Sequence, residues 1–281
     1  MILTHVGGPT LLVEIAGRRL LTDPTFDRPG GHYDFGWGTS SDKLAGPALD
    51  VDELPPLDAV LLTHDHHADN LDRTGRELLA RVPTVVTTRS GARRLRLPDV
   101  RGLRPGATTA LEAAGRPPVT VTATPARHGP PLSRPVVGEV VGFEVRSGTE
   151  SLWITGDTVL SRAVRRTARA LAADPVDPID VVVVHAGGVR FPVTGPLRYT
   201  MTGRRAVELV ALTGARTAVP VHVDGWSHFV DGRAGVERAV AAAAGHVRDR
   251  LRWLVPGGSR RSSEGRREWC NSVFGALPRV L

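Results

Sequence analysis

The chain has 281 residues, a net charge of +7 and a pI near 10.9, with 41% hydrophobic and 23% charged residues. That composition fits a globular protein with a sizeable core, within the range of one layered α/β domain spanning residues 1–281. The apolar runs are far too short for a membrane span, and the N-terminus lacks a basic start followed by an apolar block. A single cysteine, Cys270, excludes an internal disulfide and a cysteine-based metal knuckle. These features predict a cytoplasmic protein whose metal chemistry, if any, rests on His and Asp. The positive charge raises nucleic acid as a partner. It is almost entirely arginine, however, scattered as in Arg165-Arg166 and the tail from Arg260 to Arg267. Aromatic content of 5% offers few stacking platforms, so a solvated basic surface is the favoured reading.

In chain order, Ile2 to Val6, Thr10 to Ile15 and Leu20 to Thr22 read as a β-meander broken at Gly7-Gly8-Pro9 and Ala16-Gly17. His5 and Asp23, at strand ends, are equally open as site residues or satisfied polar groups. Phe26 to Pro56, rich in Gly, Pro and Asp, reads as one long loop. The apolar strand Val60 to Thr63 then breaks abruptly into His64-Asp65-His66-His67-Ala68-Asp69-Asn70-Leu71-Asp72. In extended backbone His64 and His66 project to the same side and make half of a zinc-type site. Asp65, His67 and Asp69 remain as further ligands or supports.

Helical spacing over Arg73 to Arg81 precedes a strand at Thr84 to Thr87 and a short helix at Ser90 to Leu95. Strands follow at Val119 to Thr122, Val137 to Val145 and Leu152 to Thr155. Val159 to Ala173 is an amphipathic helix, Ile179 to Val184 a strand, and Thr202 to Leu212 a helix capped by Thr202. Ala218 to Val221 is the last inner strand and Val236 to Leu251 the last long helix. One pattern recurs: apolar strands end in ligand-type residues at His64/His66, His128, Asp157, His185 and His222. Ligands gathered at one sheet edge are what a metal centre on a rigid scaffold requires.

These motifs, from Thr4-His5-Val6-Gly7 through the histidine cluster, Thr124-Pro125-Ala126-Arg127-His128, Thr155-Gly156-Asp157-Thr158 and Tyr199-Thr200-Met201-Thr202 to Val219-Pro220-Val221-His222, resemble those of the metallo-β-lactamase-fold hydrolases. Within them the chain looks most like the branch holding ascorbate-6-phosphate lactonase and the N-acyl-phosphatidylethanolamine phospholipase D enzymes. The resemblance implies a four-layer αβ/βα sandwich. It also implies a first metal on His64, His66 and His128, a bridging Asp157, and His222 on a second metal. The family motif His-x-His-x-Asp-His departs here. An ungapped alignment puts Ala68 at the Asp and Asp69 at the His. The preferred one, with one inserted residue, keeps Asp69 as the Asp and puts Asn70 at the His.

The second site would then rest on Asp69, Asp157 and His222. The expectation is one tightly held Zn2+, with Mn2+ or Fe also suited to these ligands, and a second site that is weak or empty. The implied activity is hydrolysis of an ester, lactone, amide or phosphodiester in a small molecule by water activated on the metal, with Asp69 and Asp157 managing its proton. His185, Tyr199 and His228 are candidate substrate contacts. Alternatives of the same fold are a nuclease or phosphodiesterase, a metal-dependent redox member and a degenerate binding member.

Overall fold

The computed structural model describes residues 1–174 and 178–262; Cys270 and most of the Arg260 to Arg267 tail lie outside the described residues. The chain opens with β1 (Ile2–Gly7), β2 (Thr10–Ile15) and β3 (Arg18–Thr22), an antiparallel meander. A separate hairpin follows, β4 (His32–Gly36) and β5 (Thr39–Asp42). Next come β6 (Ala59–Leu61), α1 (Arg73–Leu79), β7 (Val85–Thr88), α2 (Arg89–Leu95) and β8 (Val100–Leu103). The second half runs β9 (Thr108–Leu111), β10 (Val119–Pro125), α3 (Arg134–Val137), β11 (Val141–Ser147), β12 (Glu150–Ile154) and α4 (Arg162–Ala172). It ends with β13 (Val181–His185), α5 (Gly203–Thr213), β14 (Thr217–Val221), α6 (Gly232–Ala241), α7 (Gly245–Arg248) and β15 (Ser259–Arg261).

Two sheets result, ordered β15-β1-β2-β3-β6-β7-β8 and β14-β13-β12-β11-β10-β9. Period-two alternation assigns each side chain to a layer. Leu11, Val13, Leu20 and Leu61 from the first sheet meet Val121, Phe143, Val183 and Val219 from the second in one core between the sheets. Their neighbours Leu12, Leu21, Val60 and Leu62 point the other way, under Leu78 and Leu79 of α1. On the far side Trp153, Val182, Val184 and Ala218 pack against Val164, Ala168, Leu209 and Val236 of α4, α5 and α6. The layers are therefore helix, sheet, sheet, helix.

The helices start where hydroxyl or carboxylate caps satisfy first-turn amides. Asp72, Thr88, Ser161 and Thr202 accept from Gly75, Gly91, Val164 and Arg205, respectively. Thr202 is thus the cap its sequence position predicts.

Three stretches differ from the sequence reading. The loop from Phe26 to Pro56 contains the β4–β5 hairpin, turned by Gly36-Trp37-Gly38, and a short turn of 3-10 helix at Val51–Glu53. The strand expected from Val137 begins only at Val141, because Gly138 at φ 79° breaks the extended backbone after α3. The long helix expected over Val236 to Leu251 stops at Ala241 and resumes as the short α7.

One polar contact ties the hairpin to the motif loop. Lys43, 3% exposed, places Nζ 2.7 Å from Asp72 Oδ2, and Asp72 also caps α1. Removing one partner of such a pair leaves an uncompensated buried charge, which costs about 3–5 kcal/mol. Lys43→Ala is expected to lower the unfolding free energy from urea titration by that much, whereas Arg81→Ala, at an exposed pair with Asp52, is expected to shift it by less than about 1 kcal/mol.

Candidate metal centre

The carboxyl ends of β6, β10, β12, β13 and β14 lie along one edge of the paired sheets, where loops collect ligands in open α/β architectures. β6 ends at Leu61 and the chain turns out of the sheet, so the two-residue alternation assumed for His64 and His66 does not apply. Asp65 is drawn toward the helices: Arg94 of α2 donates to both its carboxylate oxygens at 2.5 and 2.8 Å, and Arg76 of α1 donates to its carbonyl at 3.0 Å. This bend carries His66 to the surface, against Gly138, where a Cβ would sit 2.0 Å from the ring.

His67 takes the inward place instead. The ligand atoms of His64, His67 and His128 lie within 4.8 Å of one another. Of the two expected neighbours, the structure brings His67 into this cluster and leaves His66 outside it.

Each imidazole is oriented by its other edge. His128 Nδ1 donates to the Tyr199 carbonyl at 2.9 Å, leaving Nε2 to face His67 Nδ1 at 3.2 Å. His64 Nδ1 lies 3.2 Å from Thr63 Oγ1, which itself donates to the Asp23 carboxylate at 3.0 Å. Such outer hydrogen bonds select the tautomer and ring angle of a metal-binding histidine. Asp23, at φ 34°, is therefore part of the site's support, while His5 is turned aside to the Gly8 carbonyl at 3.1 Å.

A second cluster lies beside the first. The ligand atoms of Asp69, Asp157 and His222 are likewise within 4.8 Å of one another. His222 Nε2 is 3.3 Å from Asp69 Oδ2 and its Nδ1 3.2 Å from Asp157 Oδ1, neither with hydrogen-bond geometry. His222 follows β14 at φ 55°, a left-handed conformation that costs a non-glycine residue of order 1 kcal/mol. His228 Nε2 donates to Asp69 Oδ2 at 3.0 Å while its Nδ1 meets Ser41 Oγ. His185 is fully buried between the sheets, Nε2 3.5 Å from Asp23 Oδ2, and does not reach the site mouth. Asn70 is also fully buried; its amide reaches Thr63 Oγ1 at 3.4 Å.

The donor set fits divalent ions. His64 Nε2, Asp69 Oδ1, both Asp157 oxygens and both His222 nitrogens are buried without a hydrogen-bond partner. Each such orphan costs about 1–3 kcal/mol, and a cation shared among them removes the cost. Burial, reinforced by neighbouring histidines, holds His64 far below the ordinary histidine range. Burial also lowers His128, brings His67 down to about 3 and His222 to about 4. These rings are therefore neutral at pH 7, the form that ligates. Burial pushes Asp157 well up, helped by the charges of Asp69 and Asp23. Burial would raise Asp69 too, but the nearby imidazole of His222 and the hydrogen bond from His228 outweigh it and keep this carboxylate low.

The pH dependence of the metal-free protein follows in sign. An unfolded histidine takes up its proton near 6.5, whereas the folded rings resist until far lower pH. Their contribution is full above pH 6.5 and is lost on acidification, at up to about 1.4 kcal/mol per ring per pH unit. Asp23 and Asp157, raised by burial, act in the opposite direction, two groups against the six rings of His5, His64, His66, His67, His128 and His222. The urea midpoint of chelator-treated protein is expected to fall steadily from pH 7 to pH 5.

Residues 18–223 match the β-lactamase superfamily domain. The chain belongs to that superfamily. Its four layers are the metallo-β-lactamase fold. The superfamily relatives include a protein named UPF0173 metal-dependent hydrolase from Methanoregula boonei, 29% identical over 65% of this chain and 74% of its own length. A second of that name, from Caldivirga maquilingensis, is 25% identical over 88% of this chain and 92% of its own length. Among solved structures, the isothiocyanate hydrolase from Delia radicum gut bacteria superposes with a TM-score of 0.74 at 20% identity. It covers 93% of this chain and 99% of its own. Among the described residues no helix is long and apolar enough to cross a membrane.

Proposed function

We propose that the chain is a metal-dependent hydrolase of small molecules, acting on an ester, lactone, amide or phosphodiester bond. The lactonase and phospholipase D branch is the part of the superfamily its motifs fit best. The observation that carries this reading is the convergence of two buried ligand triads, with orphaned lone pairs, at the carboxyl edge of the sheets. His64, His67 and His128 would hold the tighter ion, and Asp69, Asp157 and His222 the second. Zinc is the first choice for this donor set, and manganese or iron suits the same ligands. When bound, such an ion polarises a carbonyl or phosphoryl oxygen and lowers the pKa of water from about 15.7 to about 7.

The chain's own residues supply the rest. Asp69, kept ionised by His222 and His228, has Oδ1 free to accept a proton from the attacking water. His228, braced by Ser41, fixes the angle of that carboxylate. Tyr199 orients His128 through its carbonyl and presents its ring to the cleft above.

Metal titration tests the reading. Zinc added to chelator-treated protein is expected to bind one tight equivalent and a second far more weakly. Asn70 offers the second site only a carbonyl oxygen, poorer for zinc than an imidazole. Asn70→His is expected to tighten the second equivalent by tenfold or more. A chain that binds no divalent ion tightly would refute the hydrolase reading; two equally tight equivalents in the unaltered chain would refute the role given to Asn70.

A further inference from the structure

Alternate side chains of β1 face opposite ways, and Leu3 lies on the face that fills the core between the sheets. His5, two residues further along, shares that face and is 4% exposed. An aliphatic side chain is the ordinary occupant of such a place, because a buried imidazole needs a hydrogen-bond partner. The partner here is the backbone of the turn just beyond: His5 Nε2 donates to the Gly8 carbonyl at 3.1 Å.

The same carbonyl accepts a second hydrogen bond, from the backbone N–H of His222 at 3.0 Å. A carbonyl oxygen has two lone pairs, so it serves both donors at once. Gly8 lies in the turn between β1 and β2 of one sheet, and His222 follows β14, the edge strand of the other. The shared acceptor therefore ties the two sheets together where the second ligand triad sits. The backbone of His5 is itself anchored on both sides. Its N–H donates to the Gly258 carbonyl at 3.3 Å, and its carbonyl accepts from the Gly257 N–H at 2.7 Å.

His222 is the ligand most exposed to a loosened backbone. A non-glycine residue keeps a left-handed conformation such as its φ of 55° only where its surroundings over-determine it. Its ring lies 4.5 Å from that of Phe229 and 5.6 Å from that of His185. From there Nε2 comes within 3.3 Å of Asp69 and Nδ1 within 3.2 Å of Asp157. A change of backbone conformation at this residue moves both nitrogens at once.

From this arrangement we propose that His5 is a positioning residue for the second triad: through the Gly8 carbonyl it holds the backbone from which His222 reaches Asp69 and Asp157. The inference rests on the metal-dependent reading of the site and adds a residue which that reading does not use. In the first triad, His64 and His128 are oriented by other groups, Thr63 and the Tyr199 carbonyl, so the effect of His5 belongs to one site.

Two measurements test the proposal, on His5→Leu, which keeps apolar bulk without the donor, and on His5→Gln, whose amide nitrogen can replace Nε2. The first is amide exchange of the chelator-treated protein, followed residue by residue by NMR. The His222 amide is expected to exchange about tenfold faster in His5→Leu and near the original rate in His5→Gln. The amides of Phe143 and Val145, inside β11, should be unchanged and so report an intact fold. The second measurement is a cobalt titration read by calorimetry and by the visible spectrum. His5→Leu is expected to weaken the second equivalent by about 10–100-fold, the usual effect of losing an outer hydrogen bond, and to leave the first as it was. His5→Gln should restore most of that affinity. Unchanged exchange at His222 in His5→Leu, equal weakening of both equivalents, or failure of His5→Gln to recover either measurement would overturn the proposal. If the unaltered chain takes up no second cobalt ion, the second metal site falls, and amide exchange still decides whether His5 holds His222.

Discussion

His67→Ala is expected to release the tightly held ion, whereas His66→Ala is expected to keep it. The two residues are adjacent, and by sequence spacing His66 is the natural partner of His64. In the folded chain His67 Nδ1 lies 3.2 Å from His128 Nε2, while His66 lies at the surface against Gly138 and Arg94. Removing an outer hydrogen-bond partner of a metal ligand costs about 10–100-fold in affinity, so removing a ligand should exceed about 100-fold. Elemental analysis after gel filtration against a weak chelator reads the result directly. His64→Ala and His128→Ala should behave as His67→Ala does. Full metal content in His67→Ala together with loss in His66→Ala would show that the loop inverts when the ion binds.

Asp157→Ala is expected to cost about 100- to 10,000-fold in hydrolysis while leaving the first ion in place. Asp157 is the carboxylate at the end of β12, fully buried, with both oxygens lacking hydrogen-bond partners and His222 at 3.2 Å. A cation beside it would reverse the upward push that burial and the neighbouring Asp69 and Asp23 exert on its pKa. Its loss therefore removes a ligand from the second triad without adding cavity strain in the apolar core. Cobalt spectra of the loaded variant would separate the sites: the first-site band should persist and any second-site band should vanish. Unchanged turnover in Asp157→Ala would remove this residue from the chemistry.

Much of the architecture was legible because it rests on local pattern. Alternation in Thr10 to Ile15 and the apolar run Ile179 to Val184 forecast strands whose faces the layers then use, and Thr202 forecast its own cap. Less visible were β8, β9 and β15, short strands with exposed faces, and the β4–β5 hairpin, whose Gly and Asp content reads as loop. The hairpin places Phe35 5.4 Å from His67. Phe191 was missed as well: a single aromatic residue in an irregular segment carries no periodic signal.

The amino-acid sequence by itself placed the histidines and aspartates of ligand type just beyond apolar strands, along one edge of the sheets. An apolar strand followed by His or Asp delivers that side chain where the strand leaves the core, and His64, His128, Asp157 and His222 all lie just beyond such strands. Tertiary structure decided which of these point at one another. His67 rather than His66 joins the cluster where Arg94 and Arg76, residues from later helices, hold the buried Asp65 toward those helices. His185 packs behind His222 at 5.6 Å and is turned toward Asp23 from the opposite sheet. Spacing along a chain sets side-chain direction only while the backbone stays regular. Beyond Leu61 it does not, and there the direction of each ring is set by long-range hydrogen bonds and packing.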